Sequence, residues 1–180
     1  FPKKPPRPAL VMTTRHGKPQ NKALLEKGAA AITIPDIRWE RCDIKSVALL
    51  PNILGKQQAH EAGAYEAWQV DADGTVTEGT STNAWIVTRD GELVTRPLGQ
   101  AILAGITRQW AIHELAGRGI IVQKRHLSLE DVLGADEVFL TNSSWGVLPV
   151  VGVERENIGR GGVGELTRRA RDWWNEEIAS

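Results

Sequence analysis

A chain of 180 residues, 41% of them apolar, is long enough to bury one sizeable core. Its 22 Lys and Arg balance 22 Asp and Glu, which argues against binding nucleic acid or an anionic membrane through a global basic field. One cysteine, Cys42, excludes an intramolecular disulfide and suits a reducing, cytoplasmic compartment, and no apolar run reaches the roughly 18 residues of a membrane-spanning helix.

The chain opens on Phe1 and PKKPPRP, where Pro2, Pro5, Pro6 and Pro8 impose an extended, polyproline-like path. Residues 1–8 are therefore expected to be an interdomain linker, with a further domain ahead of it, and residues 9–180 one main domain. Ala9 to Arg15 (ALVMTTR) reads as a strand, and Gly17, Pro19 and Asn21 supply turn chemistry after it. Ala29 to Ile37 is a second β-type run, bent or edged at Pro35 because proline cannot donate to a ladder.

That run leads into RWERCDIKSVALLPN, with Lys45 at its centre. A lysine between a polar approach and an apolar run can be held partly desolvated as a usable amine, so Lys45 is a candidate Schiff-base lysine. Pro51 suits the first turn of a helix with Ile53, Leu54, Gln58, Ala59 and Ala62 on one side, and Gly63 ends it.

From Tyr65 to Arg96 the period changes to short strands punctuated by Asp73-Gly74 and Asp90-Gly91, which predicts an antiparallel meander. Between its second and third strands runs Glu78-Gly-Thr80-Ser81-Thr82-Asn83, a carboxylate followed by short hydrogen-bonding groups. A helix follows in ILAGITRQWAIHELAGRG, with Thr107 as N-cap, Trp110, Ala111 and Leu115 as its buried side, and an anion-ready N-terminus at Ile106 and Thr107.

Ile120 to Arg125 is a strand, Ser128 and Asp131 form a capping box, and Glu137 to Thr141 is a buried strand ending in Asn142-Ser143-Ser144. Val147 to Val153 is the last strand, with Pro149 marking an edge or bulge, and Glu165 to Ile178 is an amphipathic packing helix. GRGGVG at 159–164 matches the spacing of a dinucleotide loop but lacks the leading strand and the βαβ unit, so it reads as a turn. His16, His60, His113 and His126 are scattered without ligand spacing, so no metal site is expected, and Cys42 reads as a small buried residue.

A candidate amine, a carboxylate with hydroxyls, an anion-ready helix start and a second hydroxyl strand end together suit pyridoxal 5'-phosphate. At this point the sequence resembles the fold-type IV pyridoxal-phosphate aminotransferases, and within them the D-amino-acid branch. The matching stretches are DIRWERCDIKSVALLPN, LGKQQAHEAGAYEAW, TVTEGTSTNAW, ILAGITR, EVFLTNSS and VGELTRR, in family order across nearly the whole chain.

The resemblance implies an α+β large domain of antiparallel sheets forming a pseudo-barrel with flanking helices, a homodimer, and amino-acid and 2-oxo-acid substrates, with D-alanine and 2-oxoglutarate as the type pair. It implies Lys45 as the Schiff-base lysine and proton shuttle, Glu78 as partner of the pyridine nitrogen and Arg38 near the cofactor phenolate oxygen. It further implies Ile106, Thr107 and Ser143 at the phosphate, with Thr80, Ser81, Thr82 and Ser144 lining the cofactor and substrate side. Asn142 and Trp145-Gly146 depart from the family pattern beside the substrate. Substrate-gripping groups are expected on the domain ahead of the linker, so this chain alone is expected to lack full activity. A branched-chain aminotransferase or an aminodeoxychorismate lyase is the alternative within the family, and a non-catalytic binding module the alternative outside it.

Overall fold

The computed structural model describes residues 2–14, 16 and 20–179. Residues 9–14 form no strand: Leu10, Val11 and Met12 are more than 80% exposed. β-type composition makes a strand only where a partner edge accepts it. Arg15, Gly17 and Pro19, parts of the expected strand and turn, lie outside the described residues. A short helix, α1 (Lys22–Lys27), follows instead, capped by the Asn21 side chain, which accepts from the Ala23 N–H.

The strands are β1 (Ala29–Pro35), β2 (Glu66–Val70), β3 (Thr75–Gly79), β4 (Asn83–Val87), β5 (Leu93–Thr95), β6 (Val122–Lys124), β7 (Leu127–Ser128), β8 (Glu137–Asn142), β9 (Gly146–Val153) and β10 (Glu156–Asn157). The helices are α2 (Leu50–Glu61), α3 (Ile106–Gly117), α4 (Leu129–Leu133) and α5 (Glu165–Ala179). Ser128 and Asp131 make the expected capping box on α4.

One mostly antiparallel sheet runs β6-β5-β4-β8-β9-β1-β2-β3-β7, with β10 on β9; β1 is parallel to both its neighbours and β5 to β6. Only Arg125 and His126 separate its two end strands in sequence. Arg96, just past β5, also reaches to β3, donating to Val76 O at 3.0 Å and Thr75 Oγ1 at 2.7 Å. The sheet thus curls until its halves meet. The expected meander is interrupted, because β3 and β4 form no ladder and β4 pairs with β5 and β8. The hairpins at Gly74 (φ +76) and Gly91 (φ +80) form as their turn chemistry predicts.

Alternation along β4 and β8 divides the core between two large clusters, and a third, smaller one gathers Ile34, Ala59 and Ala67 where α2 meets β1 and β2. Ala84, Ile86, Val138 and Leu140 point to one cluster with Trp68, Leu127, Leu148 and Val150, while Trp85 and Phe139 point to the other with Ala111 and Leu115 of α3 and Ala170 of α5. Trp85 stacks on Phe139, its register partner, with centroids 5.3 Å apart. Pro149 is on an interior strand, not an edge, since β9 lies between β8 and β1; the β1 ladder starts one residue later, at Val150, and shifts register between Val150 and Gly152, so the irregularity expected at Pro149 lies just after it.

On α2 the buried residues are Gly55 and Ala59, whereas Ile53, Leu54, Gln58 and Ala62 are exposed, so of the expected side only Ala59 is buried. The helix approaches too closely for larger groups: a Cβ on Gly55 would lie 2.4 Å from Ile34 Cδ1. On α5, Ala170 is buried and Trp173 and Trp174 half-buried, but Ile178 is exposed. Among the described residues no helix is long and apolar enough to cross a membrane.

Candidate active site

The chain leaves β1 through Asp36 and Arg38, where the Arg38 N–H donates to Asp36 Oδ1 at 3.1 Å in a local turn that brings the two side chains together. The Arg38 side chain, 5% exposed, spreads its donors over four partners. It meets Asp36 through Nε–Oδ1 (2.9 Å) and Nη2–Oδ2 (2.7 Å), and Glu78 Oε1 at 2.5 Å. Nη2 also donates to Thr77 Oγ1 (3.1 Å) and to Ala101 O (2.9 Å). Burial works against the guanidinium charge, yet the hydrogen bonds to Asp36 and the charges of Glu78 and Asp36 hold it above its ordinary value.

Glu78 sits on β3 with its side chain 8% exposed. Besides Arg38, it accepts from the Asn83 amide at 3.0 Å and from the Leu103 N–H, 3.1 Å from Oε2 and 3.2 Å from Oε1. Burial pushes its pKa up to about 7, against the pull of Arg38 and the Leu103 N–H. For Asp36, burial also pushes upward, but the Arg38 and Thr77 hydrogen bonds win and its carboxyl lies below the usual value.

Lys45 lies on the exposed loop that continues from Arg38, so the partial desolvation expected for it is not provided by the residues around it. The loop is fixed at its base: Cys42 N–H donates to Gln100 O at 2.8 Å, and Arg38 to Ala101 O. Residues 100–103 are in turn held by Glu78 through Leu103. A cleft of about 400 Å³ opens beside this junction, lined by Asp43, Leu98, Gly99, Gln100, Ile102 and Ala104. Cys42 is half-buried rather than buried, with its thiol on Trp39 O and pushed upward by burial.

The N-cap of α3 is Gly105, not Thr107, which is the second helical residue. No side chain caps this end, so the first-turn N–H groups of Ile106 and Thr107 have no intrahelical acceptor. Thr107 is buried and Ile106 is 76% exposed. Gly105 packs against the site, since a Cβ there would lie 2.2 Å from Asn83 Oδ1. Arg108 is buried in the same turn, bonded to Arg96 O at 2.7 Å, with Nε unpartnered; burial pulls its pKa down and the charge of Glu78 opposes this.

The hydroxyls of Thr80, Ser81 and Thr82 all reach one carboxylate, that of Glu66 on β2. Ser143 and Ser144 are exposed at the β8–β9 turn, where Asn142 Oδ1 accepts from the N–H groups of Ser144 (3.1 Å) and Trp145 (2.8 Å). Among the described residues no hydrogen bond joins them to Glu78, Lys45 or Thr107.

The structure thus brings Arg38 and Glu78 into one buried network, gathers Thr80, Ser81 and Thr82 into a second, and leaves Lys45, Ile106, Ser143 and Ser144 outside both. Sequence reasoning missed Asp36, Thr77, Asn83 and Glu66. Asp36 and Asn83 stood inside the quoted motifs, and a carboxylate between Tyr65 and Ala67 in an apolar strand was the available signal for Glu66.

The arrangement is an accessible amine on a loop whose base is tied to a buried carboxylate and its arginine, close to an uncapped helix start. The model of a family described as amino-transferase class IV matches residues 2–153. The D-alanine aminotransferase of Bacillus licheniformis is 39% identical over 155 residues, covering 86% of this chain and 54% of its own length. That of Staphylococcus epidermidis (strain ATCC 12228) is 37% identical over 181 aligned residues, 100% of this chain and 63% of its own. The chain therefore spans less than two thirds of these relatives. Among solved structures, the branched-chain amino acid aminotransferase of Thermobaculum terrenum in its PLP-bound holo form superposes with a TM-score of 0.76 at 26% identity, over 88% of this chain and 53% of that one.

Proposed function

The chain belongs to the amino-transferase class IV family, and on that premise we propose that it is the cofactor-anchoring part of a pyridoxal 5'-phosphate-dependent D-amino-acid aminotransferase. The protein would move an amino group from a D-amino acid such as D-alanine to a 2-oxo acid such as 2-oxoglutarate. The observation that carries the reading is Glu78: a buried carboxylate with its pKa pushed up to about 7, held by Arg38, Asn83 and the Leu103 N–H.

The residues fit the cofactor. Glu78 offers a buried negative charge for a pyridinium nitrogen, the uncapped start of α3 offers Ile106 and Thr107 N–H groups for a phosphate, and Lys45 offers a reachable amine. Ser143 would assist at the phosphate, Arg38 at the phenolate side, and Thr80, Ser81, Thr82 and Ser144 would line the cavity. When bound, the cofactor supplies an aldehyde for the amino group and a conjugated ring that withdraws electrons from the substrate Cα. Lys45 Nζ takes and returns the Cα proton as general base and acid. Arg38 holds Glu78 in place and pulls its pKa down against burial, which favours the ionised form that would face the cofactor nitrogen.

Residues 1–8 are taken as a linker and 9–180 as the cofactor-binding unit; the exposure of residues 9–14, which form no helix or strand, supports linker character further along. Ile37, Trp39, Ile44, Val47, Leu49, Leu50, Ile53 and Leu54, which flank Lys45 in sequence, are all exposed, and this concentration of exposed apolar side chains supports pairing of two copies. A free Cys42 suits a cytoplasmic setting.

The test is the visible absorbance of the full-length protein loaded with cofactor. Lys45→Ala removes the lysine-bound band; an unchanged band sinks the assignment. Likeness to the branched-chain enzyme of Thermobaculum terrenum keeps an L-specific branched-chain reading in play, and turnover of L-leucine with none of D-alanine would establish it.

A further inference from the structure

Glu66 is fully buried, and the mechanism above does not use it. Its Oε1 accepts from Thr80 Oγ1 at 2.5 Å, the Thr80 N–H at 3.3 Å and the Ala67 N–H at 3.0 Å. Oε2 accepts from Thr82 Oγ1 at 3.1 Å and Ser81 Oγ at 3.4 Å. Lys56 on α2 stands 3.5 Å from Oε1. Three consecutive hydroxyls of one connection therefore converge on a carboxylate of another strand. A hydroxyl has one proton to donate, and here each proton goes to Glu66, so these side chains serve to order the connection.

What the connection joins gives this order its consequence. It leads from Glu78, one residue before the end of β3, to Asn83, the first residue of β4, and Asn83 closes back on Glu78 Oε2 at 3.0 Å. On its other side, the Asn52 amide of α2 donates to Thr80 O at 2.8 Å, and α2 follows directly on the Lys45 loop. We infer that Glu66 is a positioning residue of the proposed cofactor site: by fixing Thr80, Ser81 and Thr82 it holds Glu78 and Asn83 in register and ties them to the helix that follows Lys45. The inference rests on the aminotransferase reading for its catalytic consequence, but its structural part does not.

An isosteric amide separates the two. Glu66→Gln removes the carboxylate charge and places an NH2 group where Oε2 accepted, so Ser81 and Thr82 must turn from donors to acceptors and every charge-assisted bond of the ring is weakened. In the cofactor-free protein, amide hydrogen exchange over residues 79–83 is expected to quicken about tenfold, the scale of one lost net hydrogen bond. In the loaded protein, the dissociation constant for pyridoxal 5'-phosphate rises about tenfold and the pH midpoint of its visible band shifts. Thr82→Val gives part of both effects, Thr82→Ser restores wild-type behaviour, and Thr82→Val adds nothing on top of Glu66→Gln.

Should Glu66→Gln fail to fold, Thr80→Val and Thr82→Val carry the same comparison. Unchanged exchange at 79–83, or additive effects of the paired variants, overturns the positioning role while leaving the aminotransferase reading intact. A wild-type protein that gives no visible band with the cofactor overturns that reading and the catalytic consequence with it, whatever the exchange data show.

Discussion

Replacing Arg38 by methionine tests whether the site is held together by buried charge. Methionine keeps the stem of the side chain and removes the guanidinium, and with it the bonds to Asp36, Glu78, Thr77 and Ala101 O. Side chains only 5%, 11% and 8% exposed, for Arg38, Asp36 and Glu78, gain little from solvent screening. Removing one partner of a buried pair leaves an uncompensated charge, at about 3–5 kcal/mol.

The loss must also depend on pH. At pH 8 Glu78 is mostly ionised in the wild type, its pKa standing at about 7. In Arg38→Met it loses the charge that pulls that value down, so at pH 5 it is protonated and its burial costs little, which leaves Asp36 as the carboxylate that still loses its partner. Urea unfolding of wild type and variant at both pH values should therefore give about 3–5 kcal/mol of destabilisation at pH 8 and markedly less at pH 5. A loss below about 1 kcal/mol at pH 8, the size of a solvent-exposed pair, or an equal loss at both pH values, refutes the reasoning.

Two further outcomes follow from the same network. In the wild type, the folded chain keeps the Glu78 proton between the ordinary carboxylate value of 4.5 and about 7 while the unfolded chain has lost it. Stability then falls as pH rises through that window, by about 3 kcal/mol. The lowered Asp36 has the opposite sign, contributing fully above the ordinary value of 3.8 and losing that contribution on acidification. A urea midpoint that does not decline between pH 5 and pH 7 would count against the burial assigned to Glu78. Gly105→Ala places a methyl 2.2 Å from Asn83 Oδ1 at a backbone (φ −60) that tolerates alanine, so its effect isolates the clash. Asn83 gives way, releasing Glu78 and Leu103 O, at about 1–3 kcal/mol; a melting temperature equal to that of wild type would show that the contact is soft.

What the sequence made legible is what local chemistry fixes. Asp73-Gly74 and Asp90-Gly91 gave their hairpins and Ser128 with Asp131 its cap, because each works within four residues. Sheet order depends on partners distant in sequence. The break between β3 and β4 rests on a connection held by Glu66, 14 residues before Thr80, which no spacing rule announces. The same limit explains Leu10 to Met12, apolar and β-prone but without a strand to join, and Pro149, tolerated inside the sheet because the β1 ladder starts at Val150. At the site, Arg38 and Glu78 were legible as motif residues. Thr80 to Thr82 were legible as a cluster but not in their use, since a hydroxyl in a sequence does not say which acceptor takes its proton.

The two halves of the site also differ in kind, and chemistry gives the reason. Asp36, Arg38, Glu78 and Asn83 exchange no covalent bond in the proposed reaction; they hold charge in place, and burial strengthens that function because the interior dielectric screens it less. In the role proposed for it, Lys45 would change partners during turnover, which calls for a path to its amine and freedom to move. A lysine locked into the buried network would satisfy the electrostatics and fail the chemistry. Its loop, tied at the base to Gln100 and Ala101, leaves the amine exposed while the base is joined to the segment that Glu78 holds through Leu103. In the proposed reading, the dry surroundings that favour proton transfer at a lysine would come from bound cofactor and substrate rather than from the loop itself.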